Sequence, residues 1–167
     1  MLSTLSANAQ ESSFRRHRLT AIIGHTAVSR GLEPFQNSKW LLLPSWGIDY
    51  DFWINSRLAF GLQSDIILEN FSVESFPARK GEALQRSFPV SLAFTGLYRL
   101  GDHLSLVAGG GVEMATEETL YLWRLGADYG WEISESWELS VNLVYDRKPE
   151  AYDSWTLGLG VSRWIDF

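Results

Sequence analysis

From Arg18 to the C-terminus, apolar and polar residues alternate with a period of two, and no segment sustains the spacing of an amphipathic helix. The alternation breaks into eight segments, at 18–28, 38–54, 57–71, 87–100, 103–115, 118–133, 137–146 and 153–167. Asn55-Ser56, Gly101-Asp102 and Ser134-Glu135-Ser136 have the residue types of tight hairpin turns. Between them lie the links 29–37, 72–86, Thr116-Glu117 and 147–152, most of them longer or more charged. Consecutive strands joined by alternately tight and looser connections predict an all-β fold, an eight-stranded antiparallel up-and-down barrel, with tight turns at one end and loops at the other.

The two faces of each strand differ. In the seventh segment Trp137, Leu139, Val141, Leu143 and Tyr145 oppose Glu138, Ser140, Asn142, Val144 and Asp146. In the eighth, Trp155, Leu157, Leu159 and Val161 oppose Thr156, Gly158, Gly160 and Ser162. An eight-stranded barrel has an interior just wide enough for side chains. Small and polar residues therefore face inward, with glycines leaving room for long Arg and Glu neighbours, and the large apolar residues face outward. A soluble lipid-binding barrel has the opposite polarity. The aromatics fall at two levels: Trp40, Phe88, Tyr121, Trp123, Tyr145 and Trp155 near the loop end, and Phe52, Trp53, Tyr98, Tyr129, Trp131, Trp137 and Phe167 near the turn end. Two aromatic girdles around an apolar band predict a transmembrane barrel.

Composition narrows the alternatives. No apolar run approaches the ~20 residues of a membrane-spanning helix; the longest are as short as Trp40-Leu41-Leu42-Leu43. Cysteine is absent, which removes disulfides and thiolate chemistry. A net charge of −6 disfavours nucleic acid as a partner. Ala7-Asn8-Ala9 matches a signal-peptidase site, so residues 1–9 are expected to be a signal-peptide remnant and 10–167 a single barrel domain.

The chain ends Leu-Gly-Leu-Gly-Val-Ser-Arg-Trp-Ile-Asp-Phe, in which Leu159, Val161, Ile165 and Phe167 alternate toward a terminal aromatic. This resembles the C-terminal signature of outer-membrane barrels, which implies reading by the barrel-assembly machinery during insertion. Arg163 departs from the pattern. The chain from about residue 18 is similar to the small eight-stranded outer-membrane proteins, the class of the OmpX barrel and the OmpA transmembrane domain. Gly24-His-Thr-Ala-Val28 and Leu43-Pro-Ser-Trp-Gly-Ile-Asp-Tyr50 also resemble an uncharacterised barrel family of Bacteroidota-type bacteria. The resemblance implies an integral protein of the bacterial outer membrane, termini periplasmic, with lipid and lipopolysaccharide around it and protein partners in a larger complex as a further expectation.

Strand parity places Arg18, Arg57, Arg99 and Arg124 in the lumen, together with Asp49, Asp51, Asp65, Glu69, Glu113, Asp128, Glu132, Glu138 and Asp146. Buried charges must be paired, so an arginine–carboxylate network plugging the barrel is expected. The excess of acids leaves a cation among Asp49, Asp65, Glu113 and Asp128 as a sharper alternative. No cofactor and no metal motif is read from the sequence. Catalysis has rim candidates only, in His25, Ser29 and Glu33, whose residue types suit acyl-chain chemistry on lipopolysaccharide but whose spacing is not a motif. In the link 72–86, Phe76, Pro77, Arg79, Lys80 and Arg86 are read as a solvated loop, with contact to lipopolysaccharide phosphates or a partner protein as the alternative. The functional expectation is a non-porous barrel with a structural or interaction role. A lipid-modifying enzyme is the alternative, and a small-solute channel is disfavoured by the narrow charged lumen.

Overall fold

The alternating segments form strands that close on themselves. The computed structural model describes residues 16–29, 40–74, 83–149 and 151–165. The strands are β1 (His17–Ser29), β2 (Trp40–Trp53), β3 (Leu58–Ile67), β4 (Phe71–Glu74), β5 (Ala83–Arg86), β6 (Val90–Arg99), β7 (Leu104–Met114), β8 (Thr119–Ser134), β9 (Trp137–Arg147) and β10 (Asp153–Ile165). The barrel order is β1-β10-β9-β8-β7-β6-β3-β2, and β4 and β5 form a separate hairpin. Every pairing is antiparallel, and β1 closes the circle against β10 from His17 opposite Ile165 to Val28 opposite Ser154.

The tight turns fall where the sequence puts them. Asn55 accepts hydrogen bonds through Oδ1 from the backbone N–H of Arg57 and Leu58, the side-chain-to-backbone closure that favours Asn in turns. The third segment ends earlier than its alternation implies, at Ile67. After a bend at 68–70 the chain starts the β4–β5 hairpin rather than the open loop expected over 72–86.

The polarity is the one expected. Ile23, Leu42, Trp46, Ile48, Phe94, Tyr121, Trp123, Leu125, Leu157 and Leu159 stand exposed around the wall, while Arg18, Asp51, Thr95, Arg124, Ser154 and Ser162 are buried inside it. Trp40, Phe88, Tyr121, Trp123 and Trp155 are exposed toward the loop end, and Tyr98, Tyr129, Trp131 and Trp137 toward the turn end. Trp53 corrects the expected turn-end girdle, being only 1% exposed and inside the barrel. Phe52 and Trp53 are neighbours, and a pleated strand cannot send both to the same face.

The wall is drawn in tightly at β7. A Cβ on Gly109 or Gly111 would collide with the backbone carbonyls of Phe94 and Leu92 on β6, so only glycine permits this approach.

The lumen is layered. Toward the loop end, Val28, Leu41, Leu43, Ile67 and Leu120 form a small apolar core with Phe71 and Val73 of the hairpin and with Ala151 and Tyr152. Toward the turn end, Trp53, Ala59, Leu97 and Val107 form a second cluster, with Trp164 packed against it. The charged residues lie between these apolar layers and at their edges.

Candidate functional site

The central charges sort into two arginine-centred groups. Arg18, on β1, gives Nε and Nη2 to Asp51 Oδ2 at 3.0 and 2.8 Å, and Nη1 to Glu138 Oε1 at 2.9 Å. The same Nη1 lies 3.0 Å from Asp128. Arg124, on β8, gives Nε and Nη2 to Asp146 at 2.8 and 2.7 Å, bonds Asp65 with Nη2 as well, and reaches Gln63 at 3.4 Å. Asn142 Nδ2 donates to Asp128 at 2.7 Å and joins β9 to the first group. The fork of each guanidinium thus spans strands that are not neighbours.

Glycines make the room that these groups need. A Cβ on Gly130 would come within 2.7 Å of Glu138 Oε1, and one on Gly61 would overlap Asp51.

Glu113 belongs to a third group near the loop end. Arg86 donates Nη2 to it at 2.7 Å, Lys148 lies 3.1 Å from its other oxygen, and the Tyr152 hydroxyl donates to it. Arg86 also donates Nη1 to the Glu118 carbonyl at 2.8 Å. Burial, and then the neighbouring Glu113 charge, push the Tyr152 phenol well above its usual range, so it stays a donor. Arg86 is fully buried, which overturns its reading as a cation of a solvated loop. Lys148 and Tyr152, assigned to a link by the sequence, are buried here too. At the edge of this group Ser87 Oγ donates to Glu117, which holds the exposed Glu117 carboxyl below its ordinary range.

Three expected lumen residues are exposed at its ends. Glu69 lies in the bend after β3, while Arg57 and Glu132 border the turn-end mouth, Glu132 paired opposite Glu138. Parity cannot be counted through a bend, which is where the assignment of Glu69 fails. Arg99 lies between: half-buried, its guanidinium sits 4.1 Å from the Trp53 ring centre.

Asp49 is buried, and its Oδ1 has no hydrogen-bond partner. The acids named for a cation do not converge, since Glu113, Asp65 and Asp128 serve three different basic groups. Among the described residues no three His, Cys, Asp or Glu are close enough together to hold a metal ion.

The passage is shut. A vestibule of about 530 Å³, bordered by Arg57, Arg99, His103, Glu132 and Glu138, opens at the turn end. Deeper in, between the two arginine groups, a cavity of only about 20 Å³ remains, close to the room one water needs.

The rim residues do not assemble. His25 is exposed on the outer wall, and Ser29 Oγ accepts a hydrogen bond from the Asp153 backbone N–H. Both lie on β1, four residues and thus about 13 Å apart, too far for a nucleophile–base contact. Glu33 lies outside the described residues, as do Phe76, Pro77, Arg79, Lys80, the 1–9 segment and Phe167. Of the C-terminal signature, Leu159 and Val161 are exposed and Ile165 is half-buried.

Comparison with known proteins adds to this geometry. No protein-family model matches the chain, and no curated protein does. Solved structures do. The Neisserial surface protein A aligns over 89% of this chain and 97% of its own, with a TM-score of 0.59 at 12% identity. Ail, the attachment invasion locus protein of Yersinia pestis, aligns over 89% and 99%, with a TM-score of 0.52 at 12% identity. The N-terminal β-barrel domain of Pseudomonas aeruginosa OprF aligns over 89% and 98%, with a TM-score of 0.51 at 9% identity. With its closed eight-stranded circuit, apolar exterior and charged interior, the chain has the fold of the small outer-membrane β-barrels.

Proposed function

We propose that this protein is an integral outer-membrane barrel that conducts nothing and acts through its outer surfaces, as a structural or docking element of the envelope and as a subunit of a larger outer-membrane complex. One observation carries the reading: apolar side chains stand exposed around the wall while the ionic groups are enclosed. In water this arrangement is costly, since large exposed apolar patches drive association. In a bilayer it is the low-energy one, with backbone groups satisfied by closure of the sheet.

The tight turns and both ends of the described chain share one end of the barrel, which in this reading is periplasmic. The loop end, with its hairpin, faces outward toward lipopolysaccharide. Leu159, Val161, Ile165 and Phe167 are the segment offered to the assembly machinery.

Purification and electrophysiology test the two halves of the proposal. The folded protein is expected to require detergent and to migrate differently on SDS gels before and after boiling. In planar bilayers it is expected to give no steady conductance. A detergent-free monodisperse monomer rejects the membrane placement, and stable large conductance steps reject the closed lumen. A mild-detergent pull-down then asks for the partner. Recovery of the barrel alone, under conditions that keep other outer-membrane complexes intact, counts against the subunit role.

A further inference from the structure

Among the described residues, the lipid-facing rows of the eight wall strands carry three full charges, besides the histidines His17 and His25. Two of the three are Arg147 and Asp153, which stand opposite each other on β9 and β10 at the loop end, so their charges offset. The third is Arg163. It is exposed at the turn end of β10, and no acid among the described residues pairs with it. Trp137, Arg163, Leu19 and Tyr50 are successive cross-strand partners on β9, β10, β1 and β2. The arginine therefore stands within the turn-end girdle of aromatics, the level of lipid headgroups, with its guanidinium 5.6 Å from the Trp137 ring centre. An apolar groove begins beside it. Ala21, the next outward residue after Leu19 on β1, opens a cavity of about 490 Å³ that runs across β2 and β3 and is walled by Ile23, Trp46, Ile48 and Ile66. Ala21 and Ser64 flank Ile48 across the strands, and their small side chains lower the wall there. Asp65 also borders the groove, its charge held by Arg124.

We infer that this sector seats one anionic phospholipid of the leaflet at the turn end, its phosphate on Arg163 and an acyl chain in the groove. The inference rests on the membrane placement proposed above and names the lipid. A guanidinium presents a planar fork that matches two phosphate oxygens, where an ammonium offers a point charge. Leu19 is the partner of Arg163, so Ala21 is its diagonal neighbour, about 7–8 Å away. That span is within one lipid, from its phosphate to the start of a chain. The groove has the volume of a small-molecule site, and its depth in the wall gives it hydrocarbon rather than water as a neighbour. The net charge of −6 repels anionic headgroups from the protein as a whole. A preference for an anionic lipid therefore has to come from a local cation, and on the lipid-facing rows of the described turn end that cation is Arg163.

The test refolds the whole barrel into bilayers of equal phosphatidylglycerol and phosphatidylcholine, and native mass spectrometry counts the lipids that it retains on release. The parent is expected to retain phosphatidylglycerol about fivefold over phosphatidylcholine, the equivalent of about 1 kcal/mol for one cation at an anionic lipid surface. Arg163→Leu is expected to bring the ratio close to one, and Arg147→Leu to leave it unchanged. A photoactivatable phosphatidylglycerol is expected to label peptides that carry Ala21, Trp137 or Val161. Equal retention of the two lipids by the parent, a preference that survives Arg163→Leu, or an equal loss in Arg147→Leu overturns the seat. So does release as a lipid-free dimer, or labelling confined to the loop end, where lipopolysaccharide would lie. The boiling-dependent gel shift on the same samples separates the failures. A barrel that shifts but prefers neither lipid loses the seat alone, and one that enters no bilayer loses the membrane placement with it. If Arg163→Leu does not refold, labelling of the parent decides.

Discussion

At the scale of single residues, what matters is which charges meet. Arg124 holds two carboxylates, Asp65 and Asp146, that have no other ion pair among the described residues. Arg124→Met is therefore expected to cost about 3–5 kcal/mol, because it strands buried charge rather than merely deleting a contact. Urea titration of the refolded barrel measures this, and Glu69→Gln on the exposed bend is expected to stay within about 0.5 kcal/mol of the parent. Alternation alone was enough to place Arg18, Asp49, Asp51, Asp65, Glu113, Arg124, Asp128, Glu138 and Asp146 inside. It failed for Glu69, where the bend after β3 resets the count, and it put Arg57 and Glu132 at the open turn-end mouth rather than in the packed interior. Arg86 and Lys148 were missed for the complementary reason. Each lies at or beyond a strand end, where side-chain direction depends on how the loop folds back, and no local pattern records that.

Among the elements, the β4–β5 hairpin is the one that the sequence hides. Each of its strands has four residues, and an isolated two-stranded ribbon is marginal in water. It is held by Phe71 and Val73 in the apolar core of the loop end and by Arg86 against Glu113. Phe71 packs edge-on to Tyr152, their ring centres 5.7 Å apart. Val73→Asp is expected to speed amide exchange in 71–74 and 83–86 by about tenfold or more, with the exchange of β8 to β10 unchanged. Arg86→Ala is expected to do the same by leaving Glu113 with Lys148 as its cation. Exchange followed by mass spectrometry separates this local release from global unfolding. Phe71 was read as the last residue of a wall strand because its alternation is continuous with β3. The bend that redirects it has neither proline nor glycine to announce it.

For the whole molecule, the exposed wall and the enclosed charges make substitution costs depend on height. Leu159 lies at the middle of β10 and is exposed, so Leu159→Arg is expected to destabilise the barrel in lipid by about 2–4 kcal/mol. Arg163 stands near the turn end, 5.6 Å from the Trp137 ring centre, and Arg163→Leu is expected to change stability by about 1 kcal/mol or less. Folding titrations into vesicles compare the two. The braces across the lumen also bear on how the circle is completed. The β1–β10 seam is joined on its inner face by neutral hydroxyl pairs, Thr20 with Ser162 and Thr26 with Thr156, each at 2.8 Å. Arg18 reaches past that seam to Asp128 and Glu138, and Arg124 reaches from β8 to Asp65 on β3. These ionic contacts have no counterpart in an open sheet, where the strands that they join lie far apart. The side chains along the seam are thus short and neutral, and the backbone ladder from His17–Ile165 to Val28–Ser154 carries its register. The ionic braces add to that ladder only when the circle is complete, so the charged lumen favours the closed form over any open sheet.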